Sequence, residues 1–148
     1  MEINELKGYE LGERKISYEE RDVILYALAI GASSSETNLI YEKDLKVLPT
    51  FGCALGLWSV ESAGKIGAYN KNYSLHASQF LELNKQIPKS GEILTKAKIT
   101  NVWDKGKAAL IEITMECKYF NVSYGIFLPS LGGWGGQRGF VSEEKEIK

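Results

Sequence analysis

The chain has one histidine, two cysteines and three prolines, and no surplus of charge of either sign. Each shortage removes a class of function. His76 has no second histidine or cysteine at ligand spacing, and Cys53 and Cys117 lie far apart, so no metal site is expected. No Gly-x-Ser-x-Gly elbow accompanies the lone histidine, which argues against a serine-hydrolase triad. Both cysteines sit in apolar surroundings and read as free thiols of an intracellular, cytoplasmic chain rather than as a bridge. Eighteen basic against nineteen acidic residues leave a formal charge of −1. That balance gives no reason to expect nucleic acid or an anionic membrane as partner, although it does not exclude a local basic patch for a phosphorylated ligand. No apolar run approaches the roughly 20 residues that span a bilayer. The start, Met1 to Glu5, lacks the pattern of a signal peptide, and the last residues are not a peroxisomal address.

What is present suits one globular domain. The 148 residues are 44% hydrophobic and 25% charged, enough for a core without disulfide or metal staples. No internal repeat or low-complexity tract is visible. The densest feature is Leu128-Pro129-Ser130-Leu131-Gly132-Gly133-Trp134-Gly135-Gly136-Gln137-Arg138-Gly139. Five glycines in eight positions, directly after an apolar strand pattern, indicate a shaped backbone segment rather than a free linker. It is neither a Walker loop nor a dinucleotide loop, since no Lys-Ser/Thr ending and no following βαβ unit occur.

The patterning predicts helices first and antiparallel strands afterwards, an α+β layout. Residues 1–16 show no clear element. Ser17 with Glu20 reads as a capping box for a helix to Ile30, carrying an apolar stripe of Val23, Tyr26, Ala27 and Ile30. Leu39 to Tyr41 reads as a short strand. Pro49 suits the first turn of a second helix, and Phe51 to Trp58 is apolar nearly all round, so this helix is expected inside. Residues 61–72 read as a loop. Strands follow from Tyr73 to before Pro88, with Leu75, Ala77, Gln79, Leu81 and Leu83 on one face and His76, Ser78, Phe80 and Glu82 on the other, and from Gly91 to Trp103. Asp104-Lys105-Gly106 signals a hairpin. The returning strand alternates Ala109, Ile111, Ile113, Met115 and Cys117 against polar neighbours. Asn121 reads as a turn, Ser123 to Leu128 as a last strand, and Glu143 to Lys148 as a frayed end.

Taken alone, the polar candidates have plain readings. His76, mid-strand, suits a partly buried, hydrogen-bonded histidine. Lys105 suits a solvated turn residue or a point charge for a ligand phosphate. Glu82 suits an outward-facing carboxylate, and Trp103 and Trp134 suit packing.

Three blocks together resemble the N-terminal half of the (R)-specific 2-enoyl-CoA hydratases (hydratase 2) of the MaoC-like hotdog superfamily. The first runs from Tyr18-Glu19-Glu20-Arg21-Asp22-Val23 through Leu25 to Ala32, and on to Tyr41-Glu42 and Leu48-Pro49-Thr50-Phe51-Gly52. The second is Leu75-His76-Ala77-Ser78-Gln79-Phe80-Leu81-Glu82-Leu83, ending at Ile87-Pro88. The third is Val102-Trp103-Asp104-Lys105-Gly106-Lys107-Ala108, followed by the glycine-rich segment. Order and spacing match from about residue 15 to residue 140.

The resemblance implies a hotdog fold, an antiparallel sheet of about five strands wrapped on a central or near-central helix, for which the helix from Ser17 to Ile30 is the candidate; residues 1–148 are expected to form a single domain with flexible ends at 1–12 and 141–148. It implies that His76, Ala77 and Lys105 contact an acyl-CoA. His76 matches the histidine of the family's Leu-His-Gly-Glu-Gln segment, with Ala77 in place of the glycine and Ser78 in place of the glutamate. It implies no cofactor, the coenzyme A thioester being the substrate. In that family the catalytic Asp and His lie in a second hotdog unit, in a stretch resembling Gly-Asp-x-Asn-Pro-x-His. Here Ser35-Glu36-Thr37-Asn38 is followed by Leu39, so the chain resembles the non-catalytic half, with no catalytic residue of its own. The expected partners are enoyl-CoA or 3-hydroxyacyl-CoA and a second hotdog unit, in a homo- or heterodimer. The chain then reads as a subunit of a two-gene hydratase, a fragment of a larger protein, or a lone module that binds acyl-CoA or acyl-carrier protein.

Overall fold

The computed structural model describes residues 1–139. Five strands form one antiparallel sheet: β1 (Glu10–Tyr18), β2 (Leu75–Leu83), β3 (Gly91–Asp104), β4 (Ala108–Glu116) and β5 (Phe120–Pro129), in the order β1-β3-β4-β5-β2. Four helices lie between β1 and β2: α1 (Glu20–Ala29), α2 (Thr37–Ile40), α3 (Phe51–Leu55) and α4 (Leu57–Lys65). This is the α+β hotdog architecture.

The core is the face of the sheet that packs against α3 and α4. Ala109, Ile111, Ile113 and Met115 of β4 and Phe120, Val122, Tyr124 and Ile126 of β5 are all buried. The 2-residue period of these strands places each set on one face, as the sequence of β4 predicts. Against that face lies the nearly all-apolar segment of α3 and α4. Its small residues allow the approach: a Cβ on Gly52 would stand 3.0 Å from the Phe120 ring, and one on Gly56 would stand 2.4 Å from the Tyr124 hydroxyl. Tyr124 donates to the Cys53 carbonyl at 2.5 Å, and burial pushes its phenol pKa well up. Trp58 Nε1 donates to Thr95 Oγ1 at 3.1 Å, and Thr95 in turn donates to the Arg14 carbonyl at 2.7 Å, tying α4 to β3 and β1. Both side chains are buried, so these bonds satisfy groups that water cannot reach.

The helix inside the sheet is therefore α3–α4, not the segment from Ser17 to Ile30. α1 buries Val23 and Ala27 but leaves Leu25, Leu28 and Ile30 about half exposed. Ser17 does not cap it. Ser17 belongs to β1 opposite Glu92, and the cap lies two residues later, with the Glu19 N–H donating to Asp22 Oδ2 at 2.8 Å. β1 escapes the sequence pattern because it is an edge strand with Glu10, Glu13, Arg14 and Lys15 exposed, which hides any alternation. It supplies the fifth strand in place of Leu39–Tyr41, which instead lies at α2, a single helical turn. The expected loop at 61–72 is helical as far as Lys65, and Asn121 lies within β5, the turn being Cys117–Tyr119. Residues 1–12, expected to be a flexible end, are packed: Leu6 is fully buried, Ile3 nearly so, and β1 starts at Glu10. The expected frayed end falls outside the described residues.

Candidate functional site

The sheet order and the two late hairpins decide where the predicted site residues meet. β3 and β5 end, and β2 and β4 begin, at the same end of the sheet. His76 and Ala77 start β2, and Lys105 caps the β3–β4 turn, so all three stand at that end. They are not adjacent. Three strand spacings separate β3 from β2, roughly 14 Å.

His76 reaches its position through a bulge. The β2–β5 register slips between His76 and Ser78, leaving Ala77 as the extra residue. Without the slip His76 would share a face with Ser78, Phe80 and Glu82. With it, His76 lies opposite Ile126 and joins Gln79 and Leu81 on the helix-facing side. Its ring sits 5.9 Å from the Tyr124 ring, and its Nε2 lies 3.0 Å from the Ser78 carbonyl. It is exposed rather than partly buried. Ser78 points the other way, onto Gly125, where a Cβ would stand 2.0 Å from Ser78 Oγ. Glu82 is exposed, as expected.

Beside the start of β2 an apolar hollow of about 550 Å³ opens between Tyr69, Asn72, Tyr73, Leu75, Leu128 and Leu131. That volume is within the range of small-molecule sites. Leu75 on its wall precedes His76, and Leu131 leads into the glycine-rich segment.

The glycine-rich segment folds back on the β3–β4 turn, and Asp104 holds it. Asp104 is 4% exposed. Its Oδ1 accepts the N–H groups of Gly133 at 2.8 Å and Gly106 at 2.9 Å; its Oδ2 accepts those of Gly135 at 2.8 Å and Gly136 at 3.2 Å. Its own N–H donates to the Gln137 carbonyl at 2.8 Å. These donors, Gly133 and then Gly106 foremost, hold its pKa down at about 2, so it is ionised throughout the neutral range. Gly133 and Gly135 have φ of +96° and +81°, and a Cβ on Gly132 would stand 2.4 Å from the Ala108 carbonyl. Only glycine fits such a path. Trp134 is partly buried against the core, a packing role as expected. Lys105 Nζ donates to the Arg138 carbonyl, so the turn lysine is not simply solvated. Asp104 is the residue that sequence reasoning missed. The available signal was an aspartate opening a Lys-Gly turn, the usual start of an Asx turn.

Among the described residues no group of three His, Cys, Asp or Glu is placed to hold a metal ion. No helix among them is long and apolar enough to cross a membrane. Cys53 and Cys117 are free and partly buried.

Comparisons with known proteins agree with this geometry. Residues 16–127 match the family described as MFE-2 hydratase 2 N-terminal domain. The chain is 34% identical to the peroxisomal hydratase-dehydrogenase-epimerase of Neurospora crassa, covering 92% of this chain and 17% of that protein. It is 30% identical to a probable enoyl-CoA hydratase 2 of Dictyostelium discoideum, covering all of this chain and 54% of that protein. The solved MaoC-like dehydratase of Phytophthora capsici superposes with a TM-score of 0.79 at 20% identity, over 95% of this chain and 54% of that one. The chain thus spans between about a sixth and about half of these relatives. With a match across most of its length and the same hotdog architecture, it belongs to the MFE-2 hydratase 2 N-terminal domain family.

Proposed function

We propose that this chain is the acyl-CoA-binding, non-catalytic hotdog unit of an (R)-specific 2-enoyl-CoA hydratase or 3-hydroxyacyl-CoA dehydratase. The observation that carries the reading is the convergence of His76, the apolar hollow and Lys105 on one end of the sheet in a chain of this family. A thioester ligand has the matching parts: an apolar acyl chain, a polar pantetheine arm and phosphates. Lys105 meets the phosphate end or the pantetheine, and His76 and Ala77 line the path toward the acyl group. An extended pantetheine arm spans the gap between them. The substrate is the coenzyme A thioester itself, and no cofactor takes part.

Hydration of an enoyl thioester needs one group to deliver a hydroxyl from water and one to place a proton on the neighbouring carbon. His76 is directed to the Ser78 carbonyl and to an aromatic ring, not to a carboxylate, which supports a binding role. The proton-handling Asp and His then come from a second hotdog unit. The sheet offers that unit a place. Eight of the nine residues of β2 are exposed, so the strand lacks cover; among them are Leu75 at 57%, Phe80 at 58% and Leu83 at 42%. β1, the opposite edge, is blunted by charges, as unpaired edges usually are. Pairing through β2 sets His76 beside the partner.

The test is calorimetric titration of the chain with crotonyl-CoA, beside Lys105→Ala. One charge-assisted contact to phosphate contributes about 1.5–3 kcal/mol. The variant is expected to bind about tenfold to a hundredfold more weakly with unchanged unfolding, since a turn lysine supports no core. Equal affinity in the two proteins contradicts the assignment of Lys105.

A further inference from the structure

Asp104 uses its whole carboxylate on backbone. Both oxygens accept two N–H groups each, one from its own turn and three from the glycine-rich segment, and its N–H returns a bond to Gln137. The glycines make the contact close: side chains at Gly132 and Gly139 would strike the Ala108 carbonyl and the Trp103 ring, at 2.4 and 2.8 Å. Arg138 is carried in by this docking. Its carbonyl accepts from Lys105 Nζ, and its guanidinium lies 3.9 Å from where a Cβ on Gly106 would stand. Lys107 follows one residue on, exposed. Two cationic side chains, Lys105 and Arg138, thus meet at one turn that also carries Lys107. Among the described residues none of the three is in an ion pair. The one carboxylate beneath them is turned inward and capped by four N–H dipoles. Like charges held together by a built scaffold repel one another until an anion sits between them, and arginine adds planar, two-pronged bonding to oxyanions.

Building on the acyl-CoA reading, we propose that Asp104 is a positioning residue that clamps the glycine-rich segment onto the β3–β4 turn. The clamp lets Arg138 join Lys105 in a two-cation site for the phosphate of a phosphorylated pantetheine thioester. Asp104 never touches the ligand; it fixes where Arg138 stands. That phosphate occurs both in coenzyme A and in the prosthetic arm of acyl-carrier proteins, and the choice of probes separates it from the nucleotide phosphates that only coenzyme A carries.

The experiment titrates the full chain, by calorimetry, with crotonyl-CoA, S-crotonyl-4′-phosphopantetheine and S-crotonyl-pantetheine, and repeats the titrations with Arg138→Gln and Asp104→Asn. Arg138→Gln changes an exposed side chain outside the clamp, so its fold is safe. It is expected to lose about tenfold in affinity for crotonyl-CoA, to flatten the salt dependence of binding, and to bind the pantetheine thioester as the unaltered chain does. Asp104→Asn is expected to show the same phosphate-selective loss. A loss that extends to the phosphopantetheine probe assigns the phosphate next to the pantetheine arm, common to both carriers. Three results overturn the proposal: a loss seen only with crotonyl-CoA, which places the cations on the nucleotide phosphates instead; unchanged affinity for crotonyl-CoA in both variants; or equal losses for all three probes, which is the mark of a merely structural aspartate. An unaltered chain that binds none of the probes removes the acyl-CoA reading itself, and the clamp's role with it.

Discussion

Replacing Gly56 by alanine probes the contact on which the fold depends, the seat of α3–α4 on the sheet. In an exposed helix the change gains up to about 1 kcal/mol. Here the new methyl would stand 2.4 Å from Tyr124 Oη, 2.8 Å from Val122 Cγ1 and 3.0 Å from Met115 Cε, against ordinary contact at 3.4 Å and beyond. All three neighbours are fully buried, so none can swing into solvent. Overpacking of this kind costs about 1–3 kcal/mol. Displacing the Tyr124 hydroxyl also endangers its bond to the Cys53 carbonyl, worth about 1 kcal/mol. The net loss is about 1–3 kcal/mol, and at this chain length each kcal/mol lowers Tm by about 2–4 °C. Thermal unfolding followed by circular dichroism is expected to show Tm lower by roughly 2–12 °C. Tyr124→Phe removes the atom in the worst contact. In that background Gly56→Ala is therefore expected to cost less, with a coupling of about 1 kcal/mol. A Gly56→Ala protein of raised Tm, or strictly additive losses in the double variant, would refute this packing of α3–α4 on β5.

Three further outcomes follow from other parts of the structure. Asp104 has a pKa of about 2 in the folded chain against an ordinary 3.8, so its contribution to stability is complete above pH 4 and is lost as pH falls through 2. Acid titrations of the unaltered chain and Asp104→Asn, each followed by thermal unfolding, are accordingly expected to differ most near neutrality and to converge at the acid end; a constant gap contradicts this. His76→Ala removes an exposed ring and is expected to change Tm little while weakening crotonyl-CoA binding several-fold, about what one neutral hydrogen bond contributes; a large Tm loss with intact affinity points instead to a structural histidine. Phe80→Lys puts a charge on the bare β2 edge and is expected to shift sedimentation toward the lone chain without lowering Tm, whereas an unchanged assembly rules that edge out as the pairing surface.

β3, β4 and β5 were legible because each carries one buried face. Ala109 to Met115 alternates cleanly, and Asp104-Lys105-Gly106 marks its hairpin. β1 was not legible, because an edge strand with charges along it has no face to advertise. The rival helices were distinguishable only in part. Both 17–30 and 51–58 are apolar, and small residues at Gly52 and Gly56 decide which of them can approach the sheet. At the site, His76 and Lys105 were found through their resemblance to a family segment, not through any local pattern. The bulge at Ala77, which turns His76 to the helix-facing side, depends on pairing with β5 and leaves no sign in the sequence of β2 alone. Asp104 was overlooked for a related reason. Three of the N–H groups it accepts lie about thirty residues further on, and glycine carries no side chain to announce that its N–H has a partner.

The central claim is that this chain binds acyl-CoA without turning it over. One preparation settles it: titrate the purified chain with crotonyl-CoA, and in the same cell follow loss of the enoyl-thioester absorbance over hours. Saturable binding with no loss beyond the protein-free rate is the predicted result. Hydration at an ordinary enzymatic rate contradicts the non-catalytic assignment, and absence of binding contradicts the acyl-CoA assignment.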